Sequence, residues 1–225
     1  MKTNREIAWK DCSFMGYHRS DGSVGTANYW LVVPLVFCEN RNVKVIKKAL
    51  INTLGYAKPE KYQGFIKQLA SLHRTGAGIK AIPESKFEET VTDTIETAPF
   101  FKNVDGIKFL THDGGCGGTR QDAQALCALL AGYITHPNVA GATVLSLGCQ
   151  NAQVSMLEEE IRKRSPQFDK PLYILEQQKT GTETNLVTSA IKQTFEGLAI
   201  ANKIERKPAP VSKLCIGLET GRPDG

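Results

Sequence analysis

An α/β fold, with a mostly parallel sheet and helices on both faces in Rossmann-like βαβ units, is what this sequence predicts. Two observations carry the prediction. From residue 106 onward, short β-branched and apolar runs alternate with helix-length amphipathic stretches, the pattern of strand–helix–strand units. Three strand-like runs also end in turns that carry a cysteine, at Cys38, Cys116 and Cys149, just before a helix begins. The 225 residues, 41% hydrophobic and 23% charged, are enough to bury a core without disulfides. Residues 1–28 read as a lead-in segment. Residues 29–225 read as the α/β domain, with an irregular helical insertion at about 56–102.

Each element has its own signal. Residues 12–28, "CSFMGYHRSDGSVGTAN", are polar and punctuated by glycine, with a turn at Asp21-Gly22. Residues 29–37 are a β-branched and aromatic run, and Pro34 marks that strand as an edge or a bulge. A helix over 41–54 places Val43, Ile46, Leu50 and Leu54 on one face, with Asn40 as N-cap and Gly55 as stop. The insertion holds helices over about 60–73 and 84–97, separated by Gly76 and Gly78. Strand 107–111 leads through a glycine loop to a helix ending near 134. Along it Ala123, Leu126, Cys127, Leu130, Ala131 and Ile134 recur at helical spacing, and Thr119 with Asp122 forms a capping box. Strand 142–147, helix 151–164, strand 171–177, helix 183–201 and strand 212–218 complete the order.

Composition excludes several classes of function. The 28 basic and 23 acidic residues leave a net charge of +5, scattered rather than gathered into a basic tract with aromatics, so nucleic acid is not a partner. The modest positive balance suits a small anionic substrate. No apolar secretory region opens the chain, and "YWLVVPLVFC" is about half of a membrane span. The expected compartment is the cytoplasm, where thiols stay reduced. Six cysteines there are core fillers, metal ligands or catalytic groups.

The turns after parallel strands gather at the carboxyl edge of the sheet, where ligands bind. Cys38, Cys116 and Cys149 belong to that edge, as do His112, Gln150, Asn151, Glu176 and Gln177. Convergence of three cysteines favours metal ligation over packing. Cys12, Cys127 and Cys215 read as buried fillers. In "THDGGCGGT", Gly114, Gly115, Gly117 and Gly118 remove Cβ atoms and permit positive φ. Backbone N–H groups around Gly115 and Gly117 can then close on an anion beside a helix N-terminus, with Asn151 near it. The loop matches neither the P-loop nor G-x-G-x-x-G, so a nucleotide is not the ligand. His112 is either a hydrogen-bonded loop residue or a functional one. His136, before Pro137, is either a turn residue or functional, and Asp21 is either a turn former or a catalyst. His73 and the charges of "EEEIRKR" belong to solvent.

Three segments, in order, carry a family resemblance: "GYHRSDGSVGTANYWLVVPLVFCENRNV", "THDGGCG" and "GYITHPNVAGATVLSLGCQNAQ". Over roughly residues 13–218 the chain resembles the altronate/galactarate dehydratase family. The resemblance implies a metal-dependent hydro-lyase that converts a sugar acid to a 2-keto-3-deoxy acid, with Fe2+ as the cofactor or Mn2+ in its place. It points to Arg19, Asp21 and Asn28, to His112 and Cys116, to His136, Asn138 and Cys149, and to Cys38. On this reading His112, His136 and Asp21 are catalytic, Arg19, Asn28 and Asn138 bind substrate, and Cys38, Cys116 and Cys149 hold the metal. Loss of a proton α to a carboxylate leaves an enediolate, which a cation and N–H donors stabilise. A base takes that proton and an acid assists the departing hydroxyl.

The chain departs from the family pattern at Ser23 and Gln150, where Arg or Lys and Glu are usual, and at Thr220 and Arg222-Pro223 in the tail. Family enzymes continue beyond that tail motif. The expectation is therefore a fragment, or a degraded or split member, of this family, with little activity alone, forming a homo-oligomer or needing a partner chain. Two alternatives stand beside it. One is a subunit like those of the cousin branch that cleaves sulfite from sulfolactate. The other is a non-catalytic α/β domain that binds an anionic ligand or a partner subunit.

Overall fold

The structure, a computed structural model, describes residues 12–57, 61–76, 82, 86–87 and 98–217. Two compact units divide the chain between Leu50 and Ile51 and between Phe100 and Phe101. The larger unit opens with strands β1 (Ser13–His18) and β2 (Val24–Gly25). It continues through β3 (Tyr29–Pro34) into helix α1 (Asn40–Thr53), which runs across the division. The smaller unit holds α2 (Lys61–Arg74). The larger unit resumes with β4 (Gly106–Phe109), α3 (Arg120–Thr135), β5 (Val139–Ser146) and α4 (Val154–Arg164). Strand β6 (Leu172–Glu176), the one-turn α5 (Gln177–Thr180), α6 (Glu183–Ala201) and β7 (Lys207–Pro210) follow.

Strands β4, β3, β5 and β6 lie in that order in a parallel sheet. Such a sheet needs cover on both faces, and the side chains supply it by alternation. Leu31, Val33, Ala142 and Val144 meet α3 through Ala123, Cys127, Leu130 and Ile134, and α4 through Leu157 and Ile161. The other face carries Trp30, whose indole N–H donates to Thr143 Oγ1 at 3.1 Å, and Thr143 meets Thr194 of α6 at 2.8 Å. Gly197 lets α6 lie on that indole, because a Cβ there would overlap the ring. The α/β expectation therefore holds. No helix among the described residues is long and apolar enough to cross a membrane.

Several elements differ from the sequence reading. The capping box forms, with Thr119 and Asp122 satisfying each other's backbone N–H. Strand β3 is central rather than an edge. Pro34 is its last residue, and Leu35 N resumes the ladder to Leu145 O at 2.7 Å. Asn40 opens α1 itself, behind a 3-10 turn at Phe37–Glu39, instead of capping it. The lead-in is an antiparallel strand pair, and β7 adds to its other side in the order β2-β1-β7. The expected strand 212–218 is absent through residue 217, where Val211–Lys213 forms a 3-10 turn. The strand lies one step earlier, at an edge, where Pro208 and Pro210 are tolerated because an outward edge needs no donors. The expected helix 84–97 lies outside the described residues except for Lys86 and Phe87.

Candidate functional site

The positions singled out in the sequence separate to opposite ends of the sheet. Strand β3 has six residues, so its ends stand about 20 Å apart. The carboxyl edge carries Cys38, His112, Gly115, Cys116, Gly117, Cys149 and Asn151. The amino edge carries Arg19, Asn28, His136 and Asn138.

At the carboxyl edge, the turns after β3, β4 and β5 and the start of α5 are bonded into one crown. Phe37 N donates to Gly114 O at 2.9 Å, Ala152 N to Gly115 O at 3.0 Å, and Gln178 N to Leu147 O at 3.2 Å. Asn40 Nδ2 donates to His112 O at 2.8 Å, and Asn151 Nδ2 reaches Gly118 O at 3.4 Å. Gln150 is buried, accepting from Gly148 N and donating to Ser146 Oγ, both at 2.6 Å. The amide thus holds its turn with one donor and one acceptor. Gly115 is buried with φ of 96°, and a Cβ there would run into the Leu35 carbonyl and Val36 Cα. What presses on this backbone is therefore the end of β3, and no ligand need be invoked. Gly117 lies open, without positive φ and with nothing within 4 Å of a Cβ. The expected requirement for glycine at 117 falls instead on 115.

His112 is fully engaged. Its Nδ1 accepts from Gly114 N at 3.2 Å, so Nε2 carries the proton and donates to Pro34 O at 2.8 Å. Nδ1 braces the loop internally and Nε2 ties it to the strand end, and acting as a base or a metal ligand would break one of those bonds. Cys38 and Cys116 are both exposed, and the Cys116 thiol is near enough to act on that of Cys38. Burial and the neighbouring Cys116 push the Cys38 thiol above its ordinary range. Cys149 is exposed and does not complete a set with them. Among the described residues no group of three or more His, Cys, Asp or Glu side chains is placed to hold a metal ion. Two thiols with an engaged histidine do not fit a closed divalent site. Cys127 is a core filler, as expected, with burial raising its thiol to about 11. Cys12 and Cys215 are exposed rather than buried. The expected strand that would have covered Cys215 does not form.

Residues not foreseen in the sequence complete this edge. A shallow pocket of about 630 Å³ is lined by Phe37, Cys38, Asn40, Arg41, Lys44 and Lys48, among others. Arg41, Lys44 and Lys48 recur at helical spacing along α1, so their side chains share one face. Arg41 is paired with Glu183 at 2.6 Å, whereas Lys44 and Lys48 have no ion-pair partner among the described residues. Their spacing was visible, but the same spacing marks any solvated helix face. Glu39 is 1% exposed, and burial pushes its carboxyl up. One oxygen accepts from Asn42 Nδ2 at 2.8 Å and the other has no partner.

The amino edge is built differently. Arg19 donates to Pro137 O at 2.8 Å, to Ala27 O at 3.4 Å and to Asn28 Oδ1 at 3.0 Å. Asn28 is completely buried, and its Nδ2 donates to Asn103 O at 2.8 Å and Ala201 O at 3.1 Å. Asn138 Oδ1 accepts from Thr26 N at 2.7 Å and Ala27 N at 3.3 Å. Asp21 Oδ1 accepts from Ser23 N at 2.9 Å and Ser23 Oγ at 2.6 Å, which holds its carboxyl below the ordinary range. His136 Nδ1 accepts from Asn138 N at 3.1 Å. Lys170 donates to the carbonyls of Thr135 and His136 at 3.0 and 2.7 Å, and burial and nearby Arg19 lower its ammonium to about 8. The polar capacity of these groups goes into joining the lead-in to the starts of β3 and β5.

Comparison with known proteins agrees with these motifs. Residues 16–202 match the family described as "D-galactarate dehydratase/Altronate hydrolase, second domain". The chain belongs to this family. Relatives of the second-domain family include an altronate dehydratase of Bacillus subtilis (strain 168), 26% identical over 213 residues, which are 95% of this chain and 33% of that protein. An altronate dehydratase of Escherichia coli (strain K12) is 22% identical over 209 residues, 93% of this chain and 32% of the relative. This second-domain chain therefore spans about a third of the length of the curated relatives it matches.

Proposed function

We propose that this second-domain chain supplies the anion-receiving surface of a hydro-lyase acting on a sugar acid of the altronate or galactarate kind. The observation that carries the reading is the pocket at the carboxyl edge of the sheet, where Lys44 and Lys48 stand beside Cys38. An ammonium pair fits a sugar-acid carboxylate, and it favours the charge that develops when the α-proton leaves. The crown of loops fixes the pocket wall. Because His112 is engaged at both nitrogens, the base and the acid of the reaction come from outside this surface. The chain alone then binds substrate with little or no turnover.

The test is calorimetric titration with D-galactarate at low salt, on the wild type and on Lys44→Ala/Lys48→Ala. The expected result is about a tenfold weakening, which corresponds to about 1.4 kcal/mol, and a loss of affinity as salt is added. Equal affinity in both proteins would sink the reading.

A further inference from the structure

The two loops that meet at the pocket carry one cysteine each, and nothing in the proposed chemistry uses both. Cys38 and Cys116 are exposed and lie on neighbouring turns, with the Cys116 thiol near enough to act on that of Cys38. Their backbones cannot drift apart easily. The 3-10 turn before α1 is tied to the glycine loop by Phe37 N to Gly114 O at 2.9 Å, and Asn40 ties α1 to His112 O at 2.8 Å. Gly115 brings the loops closer still, since its missing Cβ is what admits the Leu35 carbonyl. Two thiols kept close by a preformed scaffold lose little freedom on bridging, so a small movement of the two exposed turns suffices for oxidation.

We propose that Cys38 and Cys116 form a reversible disulfide, making the mouth of the pocket a redox-responsive site. A disulfide of the glutathione type is the oxidant. One cysteine thiolate attacks it, forming a mixed disulfide and releasing one glutathione. The second cysteine attacks the mixed disulfide, forming the S–S bond and releasing the second glutathione. Both thiol protons end on the glutathione sulfurs, and the electron pair lost by the cysteines reduces the reagent. Bridging draws the Cys38 sulfur to Cys116 and removes a free thiol from the pocket wall. This regulatory consequence rests on the pocket reading above, but the bridge itself does not.

The test treats the reduced chain with glutathione disulfide, blocks remaining thiols and maps the peptides by mass spectrometry. The expected result is loss of two hydrogens and a cross-linked peptide pair joining Cys38 to Cys116. Cys149 becomes a glutathione adduct, and buried Cys127 stays unmodified. In Cys38→Ser or Cys116→Ser, the remaining partner carries glutathione instead. Full conversion of Cys149 with no Cys38–Cys116 bridge would overturn the proposal, as would a bridge to any other cysteine. Failure of galactarate binding would count against the pocket alone and leave this mapping intact.

Discussion

Asn28 shows how a motif residue can act wholly through the fold. Its amide serves two backbone carbonyls and the Arg19 guanidinium at once. Asn28→Ala removes these bonds from a buried site while each of the three groups keeps another partner, and the expected loss is about 1–3 kcal/mol in urea unfolding. Unchanged stability would mean that the residue serves a ligand instead. His136 gives a pH signature. Partial burial and the Lys170 ammonium lower its imidazole, and Nδ1 already accepts from Asn138 N. The unfolded chain takes up this proton first, at about pH 6.5. The contribution is therefore present above that pH and is lost as pH falls toward the lower folded value. Melting temperatures from pH 8 to 5 are expected to fall more steeply for the wild type than for His136→Asn, which keeps an acceptor without titrating. Parallel slopes would refute this.

The glycine loop makes the matching case for an element. Positive φ at Gly115 and its contact with the Leu35 carbonyl make Gly115→Ala costly, by about 3 kcal/mol. Gly117→Ala is expected to change stability by no more than about 0.5 kcal/mol. Thermal or chemical denaturation of the two variants side by side checks both numbers. The sequence showed that glycines were needed but not which ones, because need depends on what another strand end presents. The same limit hid β7. Its prolines read locally as breakers, and the strand that accepts them lies at the far end of the chain. By contrast, α3 was legible in full, because its apolar spacing and capping box are local.

For the whole molecule, family motifs marked positions without saying what each one does. Cys38 and Cys116 do lie on neighbouring turns at the carboxyl edge. Arg19, Asn28 and Asn138 lie at the other edge, about 20 Å away, where they join segments together. Both kinds of residue look alike in a motif, because a latch and a ligand contact constrain sequence equally. The amino-edge residues also join parts of the chain made at very different times. Strand β1 pairs Ser13 with Pro210, and His18 reaches Pro208 O at 3.1 Å. During synthesis the ribosome takes on the order of 10–40 s to travel between those partners. For that interval β1 has left the ribosome with one of its two neighbours still unmade. Of this pair of strands, the one made earlier therefore waits for the later one before it settles.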